Sequence, residues 1–211
     1  MDMMTIRRRV LMASKKKRLP SEYQEVEWIE SSGSAYIRTA YVPTTAMTRL
    51  DMVYMRTATP SHSFLFCSYK SLCSAEIRYR ERWYACVNDL AFNYNTNTSF
   101  SVGTAKNEVF EWLYDGSAIY INGQKPYMFT NVISNYPNPL IIGASDNNGT
   151  IEEIHAGLRV YKFQIDESNA LSLNLVPCYR KSDGEIGMYD TASKTFYTNA
   201  GTGTFLKGAD V

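Results

Sequence analysis

From Tyr23 onward the apolar residues of this chain recur at every second position in short runs, and no window of twelve or more residues keeps a helical period. In LDMVYM (50–55), Leu50, Met52 and Tyr54 fall on one face and Asp51 on the other. EIRYRERWYACV (76–87) alternates over a longer run, with Ile77, Tyr79, Trp83, Ala85 and Val87 on one side. Arg78, Arg80, Arg82, Tyr84 and Cys86 take the other side. Period-two patterning of this kind excludes a helical bundle and calls for sheets with one face turned to a core.

Turn chemistry supports the same reading. In NEVFEWLYDGSAIYINGQKPYMF (107–129), Asp115-Gly116 and Asn122-Gly123 are two-residue hairpin signals that separate three strand-like runs, which predicts a three-stranded meander. PLIIGA (139–144) reads as a buried strand. In GLRVYKFQI (157–165) the apolar phase slips between Val160 and Phe163, which predicts a bulge near Tyr161-Lys162. Leu173–Tyr179 reads as a strand, Ser182-Asp183-Gly184 as a turn and Glu185–Tyr189 as the returning strand, with a further turn at Asp190–Ser193 leading into Thr195–Thr198. Gly201-Thr202-Gly203 lacks the downstream Gly-Lys-Ser/Thr and helix of a phosphate loop, so it reads as part of the closing hairpins. About a dozen short strands at regular spacing predict an all-β, two-sheet antiparallel β-sandwich of the jelly-roll kind.

Charge divides the chain in two. Residues 1–20 carry Arg7, Arg8, Arg9, Lys15, Lys16, Lys17 and Arg18 against the single acid Asp2, so with a formal total of +1 the other 191 residues carry −5. A basic arm on a mildly acidic body implies an anionic partner for the arm. Leu19-Pro20 marks the entry to the domain, giving an arm over 1–19, a sandwich over 20–208 and a tail over 209–211. No apolar run approaches the ~20 residues of a membrane span, and the longest apolar stretch of the arm, Val10–Ala13, is short of a secretory h-region. Synthesis in a cytoplasm follows, and with it the expectation that Cys67, Cys73, Cys86 and Cys178 are reduced and mostly buried; Cys67 with Cys73 is the one sequence-near pair able to bridge.

Several stretches resemble a known group. LPSEYQEVEWIESSGSAYIRTAYVP (19–43), YINGQ (120–124), IIGAS (141–145), GLRVYKFQI (157–165) and VPCYRKSDGEIGMYDTASKTFYTNAGTGTF (176–205) together resemble LamG-like, concanavalin A-type jelly-roll proteins of bacteriophages and prophages. The resemblance runs over nearly the whole chain from residue 19, and the basic leader MMTIRRRVLMASKKK is similar to that group's as well. It implies a binding or structural module of a virion, made in the bacterial host cytoplasm, and not an enzyme. The region 56–106 departs most from the shared pattern and is the place for a private specificity.

Candidate chemistry is sparse. Glu152 and Glu153 are adjacent, so on a strand they point to opposite faces, and Glu76 and Glu81 are an odd number apart; neither pair flanks one glycosidic bond. His62 in TPSHSF and His155 in EEIHAG have no nucleophile context and read as surface or loop histidines. Asp146-Asn147-Asn148-Gly149 brings one carboxylate where calcium takes about six to eight oxygens, so it reads as a polar turn. No cofactor or metal is called for. The strongest constellation is Arg78, Arg80, Arg82 and Tyr84 on one strand face, a strip for an anionic glycan or teichoic-acid phosphate, against the plainer reading of arginines paired across strands with acids such as Asp51 or Glu111. Arg7, Arg8, Arg9, Lys15, Lys16 and Lys17 would anchor the arm on other virion proteins of a capsid or tail, within a homo-oligomeric assembly. Nucleic acid is disfavoured, because the body is acidic and has no basic-aromatic groove. The sequence thus predicts a non-catalytic phage virion protein displaying a lectin-like face to host-surface or mucosal glycans. The alternatives are a purely structural capsid decoration or fibre-assembly protein and, further off, a glycan-cleaving enzyme.

Overall fold

The computed structural model describes residues 18–44, 46–58, 62–68, 72–77, 82–87, 90–95, 106–116, 119–123, 129–130, 138–147, 149–152 and 154–211. All regular structure among them is strand: β1 (Tyr23–Glu25), β2 (Ile29–Ser32), β3 (Ile37–Arg38), β4 (Met47–Arg56), β5 (His62–Ser68), β6 (Leu72–Ile77), β7 (Arg82–Val87), β8 (Leu90–Asn95), β9 (Val109–Tyr114), β10 (Ile119–Ile121), β11 (Phe129–Thr130), β12 (Ile141–Ile142), β13 (Ser145–Asn147), β14 (Thr150–Glu152), β15 (Leu158–Glu167), β16 (Ala170–Arg180), β17 (Ile186–Asp190), β18 (Thr195–Thr198) and β19 (Thr204–Lys207). Among the described residues no helix is long and apolar enough to cross a membrane.

A ten-stranded antiparallel sheet runs β10-β9-β4-β15-β16-β17-β18. β2 lies along the first part of β15 and carries β19 on its other side, while β1 lies along the end of β16. A seven-stranded sheet runs β11-β8-β7-β6-β5-β12-β3, and β13 with β14 makes a separate hairpin. The two large sheets meet through one apolar core. Leu50, Met52 and Tyr54 of β4, Phe110 and Trp112 of β9 and Phe163 of β15 face Leu65 and Phe66 of β5 and Ile142 of β12. Phe66 stands edge-on to Trp112 at 5.1 Å and to Phe163 at 5.5 Å, the arrangement aromatic quadrupoles favour. Each of these side chains, fully buried, contributes roughly 1.5–3 kcal/mol. The chain is therefore an all-β antiparallel two-sheet sandwich of the jelly-roll kind, as its alternation predicts.

The bulge is where the phase slip places it. Val160 opposes Tyr54 and Lys162 opposes Val53, leaving Tyr161 as the extra residue of β15. The C-terminal hairpins also match the reading, with Gly184 at φ +75° in the turn from β16 to β17. Gly201 and Gly203 explain the glycine-threonine run: a Cβ on Gly201 would fall 1.8 Å from the Ser34 carbonyl oxygen, and one on Gly203 2.1 Å from that of Ser32. The run lies flat on the segment 32–35.

Two expectations need correction. The predicted meander does not hold as one unit: β9 and β10 pair, but β11 joins β8 in the other sheet, and residues 124–128 between them lie outside the described residues. Asn122 and Gly123 both take positive φ, +50° and +75°, as a type I′ turn demands, whereas at the first turn Gly116 does and Asp115 does not. The run 76–87 is not one strand, because β6 ends at Ile77, β7 begins at Arg82, and the two pair antiparallel with Ile77 opposite Arg82. Residues 209–211 run beside the first strands: the Ala209 carbonyl accepts from Glu27 N at 2.9 Å, and Val211 N donates to Glu25 O at 3.0 Å. Arg18 pairs with Glu25, and Leu19 joins a small cluster with Val176, Cys178 and Tyr189.

Candidate functional site on the outer face of the large sheet

The anchoring residues Arg7, Arg8, Arg9, Lys15, Lys16 and Lys17 lie outside the described residues, as do Arg78 and Arg80 of the strip. Arg82 and Tyr84 sit on β7, inside the seven-stranded sheet, opposite Ile77 and Asn95 and opposite Ala75 and Asn93. The reversal between Ile77 and Arg82 removes the period-two argument that set Arg78 and Arg80 on the same face as Arg82.

One of the two histidines departs from the expectation of a surface or loop position. His62 begins β5 instead of lying in a loop. His155 is in a loop but fully buried, its N–H donating to Gly143 O at 2.8 Å and its carbonyl accepting from Ser31 Oγ. Burial, with the Arg56 guanidinium nearby, pulls its pKa down to about 4, so it is neutral at physiological pH. Asp146 serves its own turn, accepting from Gly149 N at 2.5 Å where Gly149 takes φ +94°. Cys178 is sealed in the small cluster, and burial pushes its thiol up to about 12. Inside the core, the void bordered by Ile29, Ile37, Ile142, Leu158, Met188 and Phe205 has space for about one water, too little for an organic ligand.

The best-formed polar arrangement sits on the outer face of the ten-stranded sheet. Across β10, β9, β4, β15 and β16 the ladder sets Tyr120, Leu113, Asp51, Gln164 and Asn174 in one row. Asp51 is 2% exposed, and its Oδ2 accepts from Arg49 Nη2 at 3.0 Å and from Lys162 Nζ at 2.5 Å. Asp51 Oδ1 is buried with no hydrogen-bond partner among the described residues. The cations reach outward, with 47% of the Arg49 side chain and 35% of the Lys162 side chain exposed. Lys162 reaches this face only because the bulge at Tyr161 resets the alternation: Val160 and Phe163 both point to the core with two residues between them.

A second polar cluster lies beside it. Glu30 Oε2 accepts from Arg159 Nε at 2.8 Å, Glu30 Oε1 accepts from Thr57 Oγ1 at 2.6 Å, and the Arg159 guanidinium stacks 3.7 Å over the Trp28 ring. These groups satisfy one another and fasten β2 to β15. In the first cluster two cations share the Asp51 carboxylate, and a second carboxylate, Asp166, stands opposite Arg49 in the ladder. Its outward cations suit an anionic or polyhydroxylated ligand, while the Gln164 amide donates to Asp166 Oδ1 at 3.0 Å and that of Asn174 to Thr191 Oγ1 at 2.7 Å.

No protein-family model matches this sequence, and no curated protein matches it. Solved structures do resemble it in fold. One is a "putative carbohydrate binding protein" from Bacteroides ovatus ATCC 8483, with a TM-score of 0.54 at 11% identity over 89% of this chain. This chain spans 62% of that protein's length. Another is a native heptameric SAP-like pentraxin from Limulus polyphemus, with a TM-score of 0.49 at 13% identity, covering 67% of this chain and 76% of that one. At such identities the first likeness speaks to the sandwich fold alone.

Proposed function

We propose that this chain is a non-catalytic, lectin-like protein of a bacteriophage virion, held by its basic N-terminal segment and offering the outer face of the ten-stranded sheet to acidic glycans of a host or mucosal surface. The observation that carries the binding role is the pair of outward-reaching cations, Arg49 and Lys162, fixed on the buried Asp51 carboxylate. A carboxylate below sets the positions of both cations, so a sugar carboxylate or phosphate meets a preformed charge pair. The carbohydrate-binding description of the Bacteroides ovatus protein supports the ligand class, and the quoted motifs 19–43 and 176–205 support the virion origin.

The test is a glycan array with the full chain, including teichoic acids and capsular polysaccharides, repeated with Arg49→Ala. Saturable binding to acidic glycans that weakens in the variant and falls with added salt supports the reading. A folded wild-type protein that binds no glycan overturns it and leaves virion architecture as the role.

A further inference from the structure

Three cysteines stand in one row across the seven-stranded sheet. Cys67 of β5 opposes Cys73 of β6, and Cys73 opposes Cys86 of β7. Residues opposed in an antiparallel ladder share a face, and a residue sends its N–H and C=O to the same edge of its strand. Cys73 therefore hydrogen-bonds through its backbone with one of its two cysteine neighbours and makes the closer, non-hydrogen-bonded pair with the other.

Two backbone hydrogen bonds decide which. Gly143 N donates to Leu65 O at 2.9 Å, so Leu65 directs its carbonyl to the strand carrying Ile141, and two residues on Cys67 does the same. On the far side of that strand, Thr39 N donates to Leu140 O at 3.0 Å, so Leu140 faces β3 and Ile141 faces β5. Both make Ile141 and Cys67 the hydrogen-bonded pair. Cys67 then turns its backbone groups away from β6, and Cys67 with Cys73 is the narrow pair, with Cα atoms ~4.5 Å apart; Cys73 with Cys86 is the wider one at ~5.5 Å. A disulfide spans Cα separations of about 4.4–6.8 Å, so the narrow pair closes without moving the backbone.

We propose that Cys67 and Cys73 are a redox pair that bridges the β5–β6 hairpin in an oxidising compartment and opens in a reducing one. The oxidant is a small-molecule disulfide such as oxidised glutathione. One cysteine thiolate attacks it, forming a mixed disulfide and releasing one reduced glutathione. The second cysteine thiolate displaces the other glutathione, closing the Cys67–Cys73 bond. Two electrons pass from the cysteines to glutathione, and the two thiol protons leave with the two reduced glutathione molecules. Cys67 is 3% exposed, on the face opposite the core residue Phe66, so exchange at this pair is slow in both directions.

The chain itself supplies a direct assay, because Lys70 lies between the two cysteines. The full-length protein is treated with oxidised glutathione or with dithiothreitol, alkylated, cut with trypsin and mapped by mass. The expected product is peptide 57–70 linked to peptide 71–78 in the oxidised sample and absent from the reduced one. The link should persist in Cys86→Ser and vanish in Cys67→Ser. Peptide 71–78 linked to 83–106 instead, or full alkylation of Cys67 and Cys73 after oxidation, would overturn the proposal.

Discussion

Lys162 Nζ meets Asp51 Oδ2 at 2.5 Å across the ladder between β4 and β15, although the Cα partner of Lys162 is Val53 and that of Asp51 is Gln164. The contact is diagonal, within reach of a long side chain, and it depends on the extra residue Tyr161. Lys162→Met leaves the buried carboxylate to Arg49 alone. A loss of about 1–2 kcal/mol is expected, below the cost of breaking a wholly buried pair because the lysine is part-exposed. Urea denaturation of Lys162→Met, Asp51→Asn and the double variant measures it; a coupling energy near zero would show that the pair does not act together.

His155 makes stability depend on pH in a stated direction. Its pKa falls from an ordinary 6.5 to about 4 on folding, chiefly through burial. Between these values the unfolded chain binds the proton and the folded chain does not, so stability rises with pH across the window. The contribution is complete above about pH 6.5 and declines as pH falls toward 4, by on the order of 3 kcal/mol. Denaturation midpoints from pH 7.5 to 4 should show this slope, and His155→Gln should flatten it even if its own stability at neutral pH is lower.

Two glycines should respond very differently to alanine. At Gly203 the new methyl meets the Ser32 carbonyl oxygen at 2.1 Å, and a loss of about 3 kcal/mol is expected. At Gly123 nothing lies within 4 Å and only the positive φ opposes the change, so about 1 kcal/mol is expected. Thermal melts of the two variants separate the causes, and equal shifts would contradict the close packing of the 201–203 run.

Closing the hairpin between Cys67 and Cys73 restricts the unfolded chain over a short loop. A gain of about 2 kcal/mol is expected for the oxidised form. The comparison is a pair of urea curves with and without dithiothreitol, repeated in Cys67→Ser, where the two curves should coincide.

Much of the fold is legible locally. The Tyr161 bulge shows as a slip in the apolar phase, and the hairpins after Leu173 show because Ser182-Asp183-Gly184 and Asp190–Ser193 encode their own turns. What failed was long-range. Asn122-Gly123 fixes a turn but not the sheet that the following run joins, since that choice is made by the core and not by the dipeptide. The reversal between Ile77 and Arg82 carries no glycine, proline or asparagine, so its alternation reads through the break. The Arg49–Asp51–Lys162 centre was half visible: Asp51 stands out as the polar member of an apolar strand, but its second cation lies 111 residues away. Only the ladder brings them together.

The placement of β1 and β2 has a consequence for synthesis. Tyr23 pairs with Arg180, Ile29 with Val160 and Ser32 with Thr204, so β1 and β2 lack these neighbours until residues 158–207 have been made. Val26 and Ile29, core residues in the finished sandwich, wait in the open until then. Closure of the sandwich thus waits on this long-range pairing, and its rate is set by the search that brings residues 23–32 to 158–207.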